Sequence, residues 1–376
     1  MDKLKKIKIA LVAGGTAGHI MPLLAIHSAL QRLSKEKGFQ IDFVFIGNPG
    51  NYAEKFTKLN IPIKRIVSSK LRRYLSARNI LELPKFIFSF FQSMWHIFLE
   101  RPDVVMSKGG PSSLAPIISA SLFRIPVVIH ESDATPSVTT KLSARFSRVI
   151  FLAFNEAKKG LAANEQKKCE VVGNPLRSSL LENISEKHSA KKALSFNPEK
   201  PLVVIIGGSQ GSRRINNLIV QIVPGLSEEG IQILHQTGSK LFNEVKEAVK
   251  NPPDSYHLTE FFNEDIKEVF AAADLIISRA GSSIFEFAAF GAPSILIPLP
   301  EAAQNHQVLN ASVYKDAGAC VVIEEKDLSL ALLTENINRI ITDKHLAEEM
   351  SFLAKEFAKP EAARRIAEKL IELADD

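Results

Sequence analysis

The segment Gly14-Gly15-Thr16-Ala17-Gly18-His19 lies between an apolar run, residues 7–13, and Ile20-Met21-Pro22-Leu23-Leu24, which reads as a helix start. Strand, glycine turn and helix in that order form a device for holding phosphate. Glycines let the backbone approach a ligand, and the helix N-terminus offers N–H groups and partial positive charge. The turn ends in a histidine, the side chain best suited to proton transfer near neutral pH. A phosphate cradle beside a base points to group transfer rather than hydride transfer. The segment is neither G-x-x-x-x-G-K-[ST] nor G-x-G-x-x-G, so the P-loop and the dinucleotide fingerprint both fail. Taken alone it also fits a tight turn whose histidine merely caps a helix.

Recurrence strengthens the functional reading. Ser107-Lys108-Gly109-Gly110 follows the run 103–106, Gly207-Gly208-Ser209-Gln210-Gly211-Ser212 follows 202–206, and Ala280-Gly281-Ser282-Ser283 follows 275–277. Each turn stands where a strand ends and a helix begins, the edge at which open α/β sheets bind ligands. Strand candidates in the first half are 7–13, 41–47, 63–67, 104–106, 127–130 and 149–152. In the second half they are 202–206, 231–234, 257–258, 275–277, 294–297 and 320–323. The alternation with helical patterns predicts an α/β protein with parallel sheets covered on both faces. The boundary is expected near Val172-Gly173-Asn174-Pro175, giving one domain over 1–173 and a second over 174–357. The segment 360–373 is helical by pattern, and periodicity alone does not say which half it packs on.

The chain has 376 residues, enough for two domains that each bury a core. A hydrophobic fraction of 45% with 23% charged residues is that of a globular protein, and the net charge of +6 suits an anionic ligand or an acidic membrane surface. No basic recognition helix, zinc motif or RNA-binding aromatic signature appears, so no nucleic-acid partner is expected. Cys169 and Cys320 are the only cysteines, which supports no disulfide framework or zinc site and fits a reducing cytoplasmic location. The N-terminal apolar stretch is too short for a signal peptide and is broken by Lys8, and no transmembrane helix is read.

Taken together, the ordered motifs resemble a known family. The three segments Gly14 to His19, Lys108-Gly109-Gly110 and His130-Glu131-Ser132-Asp133 come first. Val172-Gly173-Asn174-Pro175-Leu176-Arg177 and the 207–212 turn come next. Arg279-Ala280-Gly281-Ser282-Ser283 with Glu286, and His306-Gln307 with Asn310-Ala311, complete the series. This order resembles glycosyltransferase family 28, the N-acetylglucosaminyltransferases that convert lipid I to lipid II in peptidoglycan synthesis, over nearly the whole chain. The resemblance implies a GT-B architecture: two Rossmann-like domains with a cleft between them, and a C-terminal helix, 358–376, crossing back to the first. The chain departs from the family's usual pattern at Ala17, where a third glycine is common, at Pro111-Ser112-Ser113, and at Asp133, where many members carry asparagine.

The resemblance also implies residue roles. Glu286 would hold the ribose diol of UDP-N-acetylglucosamine, since a carboxylate accepts two hydrogen bonds. Ser209, Gly281, Ser282 and Ser283 would meet the diphosphate, with Thr16, Ala17 and Gly18 also on the donor side. The backbone of Phe262 would hold the uracil, and His306 and Gln307 the donor sugar. Arg177 would neutralise the leaving diphosphate. Asp133 would contact the N-acetylglucosamine hydroxyls and rivals His19 as the base. No Asp-x-Asp stands at a strand end, and no metal or other cofactor is expected.

The stretch 86–99 is aromatic-rich but too short to span a bilayer. Lys70, Arg72, Arg73, Arg78 and Lys85 precede it. Basic residues beside an aromatic helix suit an anionic lipid surface, with Arg72, Arg73, Lys85, Phe86, Phe90 and Trp95 as contacts. A helix buried in the first domain's core is the alternative. The expected activity is inverting transfer of N-acetylglucosamine to lipid I, by a peripheral protein on the cytoplasmic side of the inner membrane. The alternatives are another GT-B transferase with a lipid acceptor, and a non-catalytic membrane-peripheral nucleotide-sugar binder.

Overall fold

The computed structural model describes residues 6–68, 77–208, 211–262, 265–300, 302 and 305–375. The chain divides into two compact units, residues 1–179 with 360–376, and residues 180–359. Ser209, Arg72 and Arg73, together with Lys70, lie outside the described residues.

The first unit is built on a parallel sheet of β1 (Lys6–Ala13), β2 (Gln40–Gly47), β3 (Ile63–Arg65), β4 (Val104–Ser107), β5 (Val127–Glu131), β6 (Val149–Leu152) and β7 (Cys169–Val171), in the order β3-β2-β1-β4-β5-β6-β7. Helices cover both faces, so β1 is buried from Ile9 to Ala13 without alternation, as expected of a central parallel strand. Because β4 pairs with β1 on the side away from β2, the winding reverses between them. The loops after β1 and β4 therefore flank the switch point, where a crevice opens at the carboxyl ends of the strands. β7 is absent from the strands expected from sequence; its three residues, Cys-Glu-Val, carry too little apolar pattern on a sheet edge.

The helix Ala17–Lys37 follows β1 and ends at Gly38, whose φ of 73° is the left-handed conformation glycine adopts at low cost. Its apolar side packs with Ile366, Leu370 and Leu373 of the C-terminal helix Ala362–Asp375 in one core cluster. Arg364 reaches Glu36 at 3.6 Å and Arg365 donates to the Val171 carbonyl at 3.4 Å, which fastens that helix to the first unit.

The helix Ala77–Glu100 turns Ser89, Ser93 and Ile97 inward. Small residues allow close approach of the helix Leu114–Leu122, whose Ser119 hydroxyl donates to the Phe90 carbonyl at 3.5 Å. Leu83, Ile87, Phe88, Phe91, Trp95 and Phe98 point outward, with Phe91 63% and Trp95 60% exposed. Of the expected aromatic contacts, Trp95 is exposed and Phe86 and Phe90 are half-buried. Lys85 is exposed but pairs with Glu82 at 2.8 Å. No helix among the described residues is long and apolar enough to cross a membrane.

The second unit repeats the plan with β8 (Leu202–Ile206), β9 (Gln232–Gln236), β10 (Tyr256–Thr259), β11 (Leu275–Ser278), β12 (Ser294–Leu296) and β13 (Cys320–Val322), all parallel, in the order β10-β9-β8-β11-β12-β13. Its switch point lies between β8 and β11, so Gly207 and Gly208 after β8 and the segment 279–283 after β11 stand at the same crevice.

Candidate active site

In the first unit the glycine turn after β1 is held by its neighbours. Gly14 N donates to the Gly109 carbonyl at 2.9 Å, which ties it to the loop after β4. A Cβ on Gly14 would fall 2.7 Å from Pro111 Cδ, and one on Gly15 would fall 2.9 Å from Gly50 N. These glycines are required by the close approach of three loops. Ala17 is the first residue of the helix Ala17–Lys37, so the alanine fits there without strain, and Gly18 follows it in the first turn. Thr16 is extended, at φ −111° and ψ 155°, and its hydroxyl does not cap the helix; it meets His19 Nδ1 at 2.7 Å.

His19 is half-buried, and its imidazole is pushed down to about 4. Burial is the largest cause and the Lys108 ammonium the second, while Asp133 opposes them.

Lys108, immediately after β4, is 3% exposed. Its Nζ donates to Ser132 Oγ, and Ser132 Oγ donates to Asn174 Oδ1 at 2.8 Å. Burial pulls the ammonium down to about 8, against the attraction of Glu131 and Asp133. Glu131 ends β5 and organises the next loop. Its Oε1 accepts from Ser132 N at 2.9 Å and Asp133 N at 3.2 Å, and its Oε2 from Ser137 N at 2.9 Å and Thr140 Oγ1 at 2.6 Å. Burial and then the Asp133 charge raise its carboxyl. His130 Nε2 lies 2.8 Å from the Gly173 carbonyl, and burial and Lys108 hold its imidazole well below the usual range. Asp133 is half-buried at the head of this turn. Arg177 belongs to the first unit, half-buried, with Nε buried and lacking a hydrogen-bond partner.

In the second unit Gly208 and Gly211 take positive φ, 84° and 76°. A Cβ on Gly211 would lie 2.1 Å from the Thr237 carbonyl oxygen, so only glycine fits. Ser212 caps the helix Arg213–Glu228 by accepting from Ile215 N at 3.4 Å. A Cβ on Gly281 would meet nothing within 4 Å, so this turn faces open space. Ser282 and Ser283 are half-buried in the same turn, and Glu286 lies in the first turn of the short helix Ile284–Ala289. Phe262 is buried in the core cluster that includes Phe270 and Phe287.

His306 and Gln307 open the helix His306–Asp316. Gln307 Oε1 accepts from Leu299 N at 2.9 Å. About one turn along, Asn310 is fully buried and its amide donates to the Ala280 carbonyl at 3.1 Å, which joins this helix to the Gly281 turn.

Arg279 is the hub of this unit. Its Nη1 donates to the Ile297 carbonyl at 3.0 Å and to Glu325 Oε2 at 3.1 Å, and its Nη2 to Ser212 Oγ at 2.7 Å. It thereby ties together the loops after β8, β11, β12 and β13. The sequence reading assigned no role to Lys108, Glu131, Ser132, Asn174, Arg279, Glu325 or Asn310. The available signal was a charged or amide side chain at a strand end, next to a glycine turn, and that signal does not name its partner. Among the described residues no group of three or more His, Cys, Asp or Glu is placed to hold a metal ion.

Comparison with known proteins agrees with this architecture. Residues 9–152 match the glycosyltransferase family 28 N-terminal domain and residues 202–366 the glycosyltransferase family 28 C-terminal domain. A protein of Clostridium perfringens is 37% identical over 336 residues, 89% of this chain and 90% of its own. One of Bacillus cytotoxicus is 31% identical over 98% of this chain and 99% of its own. Both are named UDP-N-acetylglucosamine–N-acetylmuramyl-(pentapeptide) pyrophosphoryl-undecaprenol N-acetylglucosamine transferase. Among solved structures, Acinetobacter baumannii MurG superposes with a TM-score of 0.74 at 24% identity, covering 97% of this chain and 99% of that one. A UDP-N-acetylglucosamine 2-epimerase-like protein of Listeria monocytogenes gives 0.70 at 16% identity over 96% and 95%, a likeness of fold. With both domain models matched in order, and with relatives above 30% identity along nearly its full length, the chain belongs to glycosyltransferase family 28.

Proposed function

We propose that this protein transfers N-acetylglucosamine from UDP-N-acetylglucosamine to the 4-hydroxyl of the muramoyl sugar of lipid I, undecaprenyl-diphospho-muramoylpentapeptide, forming lipid II with inversion. The observation that carries this reading is identity of 31–37% along most of the chain with relatives named for that transfer. Two crevices at topological switch points, one beside His19 and Asp133 and one beside Gly281 and Glu286, support it.

In this reading residues 174–357 bind the donor. Glu286 takes the ribose hydroxyls, the Gly281, Ser282 and Ser283 turn and Ser209 take the diphosphate, and the backbone of Phe262 reads the uracil. His306 and Gln307 take the sugar, and Arg177 meets the charge that grows on the departing UDP. Residues 1–173 serve the acceptor, apart from Thr16, Ala17 and Gly18, which meet the donor. His19 is the base. In the tautomer with hydrogen on Nδ1, that nitrogen donates to Thr16 Oγ1, and the lone pair sits on Nε2. An imidazole held near 4 is neutral at pH 7 and so ready to accept the acceptor's proton. The freed oxygen attacks the anomeric carbon from the face opposite UDP. The C1–O bond breaks and UDP leaves with the bonding pair. Asp133, coupled electrostatically to His19, is the alternative base. The outward aromatic face of the helix Ala77–Glu100 would rest on the cytoplasmic side of the inner membrane, where a polyprenyl acceptor is taken up.

The test is UDP release with a short-chain lipid I analogue, set against diacylglycerol. Release with the analogue alone is expected. Release with diacylglycerol alone would assign a different lipid acceptor, and no release with either, despite UDP-sugar binding, would leave a nucleotide-sugar binder.

A further inference from the structure

Lys108 poses a physical problem that packing does not answer. Its side chain is 3% exposed, and burying an ammonium costs several kcal/mol that a methionine of similar length would avoid. The site around it supplies counter-charge. Glu131 and Asp133 both face the ammonium, and Ser132 accepts from it directly. On its other side the Lys108 loop is bonded to the His19 turn through Gly14 N and the Gly109 carbonyl. A Cβ on Gly110 would stand only 3.2 Å from His19 Nδ1, so the two loops touch at the imidazole. The charged groups that face His19 are Lys108, from the loop after β4, and Asp133, from the loop after β5; Glu131 and His130 face Lys108.

We propose that Lys108 is a positioning residue of this site: its buried ammonium holds the His130-Glu131-Ser132-Asp133 turn through Ser132 and presents a positive charge to His19, which adds to burial in favouring the neutral, proton-accepting imidazole. The Ser132–Asn174 bond extends the hold to the segment after β7, so one cation pins three strand ends. Asp133 can then stand near His19 with its pull on the proton offset by Lys108. The catalytic consequence rests on the transferase reading above; the electrostatic claim does not.

The experiment follows the His19 ring by NMR in the full-length protein labelled in histidine, with the signal assigned by its loss in His19→Gln. Two variants are compared with the parent. Lys108→Gln keeps a donor for Ser132 and removes the charge. Lys108→Met with Glu131→Gln removes the buried ammonium together with the buried carboxylate that faces it. In both, the His19 titration midpoint is expected to rise by about one pH unit, the lower end of what a neighbouring charge produces. The acid limb of kcat/KM on a soluble acceptor analogue should move up with it, while UDP affinity stays within about twofold, far below the tenfold that 1.4 kcal/mol represents. An unmoved ring in the folded variants would overturn the proposal. So would an acid limb that moves while the ring does not, since Lys108 would then act through another group. If the parent shows no transferase activity, the transferase reading fails, and the ring titration still decides the role of Lys108.

Discussion

Arg279→Met tests whether the loops at the second switch point are braced by one side chain. Arg279 and Glu325 are each 13% exposed, and the guanidinium grips the carboxylate with both terminal nitrogens, at 3.1 and 3.4 Å. Methionine would fill much of the volume but leave Glu325 unpaired and remove the donors of Ser212 Oγ and the Ile297 carbonyl. Removing one partner of a buried pair costs about 3–5 kcal/mol. The slight exposure lets water reach Glu325, so the lower end of that range, about 3 kcal/mol, is expected. Arg279→Met with Glu325→Leu should recover at least half of the loss, because no charge is then stranded. The chain has one tryptophan, Trp95, in the first unit, so its fluorescence reports that unit in a urea titration while far-UV circular dichroism reports both. The circular dichroism transition should move to lower urea while the fluorescence transition stays in place. UDP affinity should fall roughly tenfold or more, about 1.4 kcal/mol, as the 207–212 and 279–283 turns loosen. A stability change under about 0.5 kcal/mol, the level of an ordinary surface substitution, or strictly additive losses in the double variant, would refute the brace.

Other perturbations separate the remaining roles. His19→Ala should lower turnover by ~10²–10⁴-fold with UDP affinity unchanged; a far larger loss in Asp133→Asn would move the base to Asp133. Glu286→Ala should weaken UDP binding by ~1.5–3 kcal/mol by calorimetry, the scale of a hydrogen bond to a charged group, and unchanged affinity would reject the ribose role. His27, buried against Phe43, is pushed by burial to about 4, so the folded state binds fewer protons than the unfolded chain below the ordinary value of 6.5. Its contribution is intact above pH 6.5 and is lost as pH falls toward 4, about 3 kcal/mol in all. His27→Leu should therefore flatten the urea midpoint against pH across that window, and an unaltered slope would contradict the assignment. Phe91→Glu with Trp95→Glu should reduce binding to anionic vesicles and spare turnover on a soluble acceptor; vesicle binding equal to that of the parent would leave the outward face without a membrane role.

The apolar runs of β1, β8 and β11, and the glycine turns that follow them, are legible in the linear sequence. The reason is local: strand burial on both faces demands uninterrupted aliphatic residues, and the turn's backbone demands glycine. His19 and Glu286 are legible as candidates because each stands at such a turn. Local pattern fails for β7, a three-residue edge strand that owes its place to pairing with β6. It fails for the helix Ala77–Glu100, where nearly every residue from 86 to 91 is apolar, so the buried side is chosen by the serines that admit a neighbouring helix. It fails again for Lys108 and Arg279. A lysine after a strand is ordinarily a surface residue; this one is buried because the sheet order sets β4 between β1 and β5, with Glu131 and Asp133 on one flank and His19 on the other. Glu325 lies 46 residues from Arg279, and no spacing rule joins them. The sequence alone determined which segments would be strands, turns and candidate chemistry. The tertiary structure decided which charges meet, because contact between distant residues depends on strand order, and strand order is settled by the packing of the whole sheet.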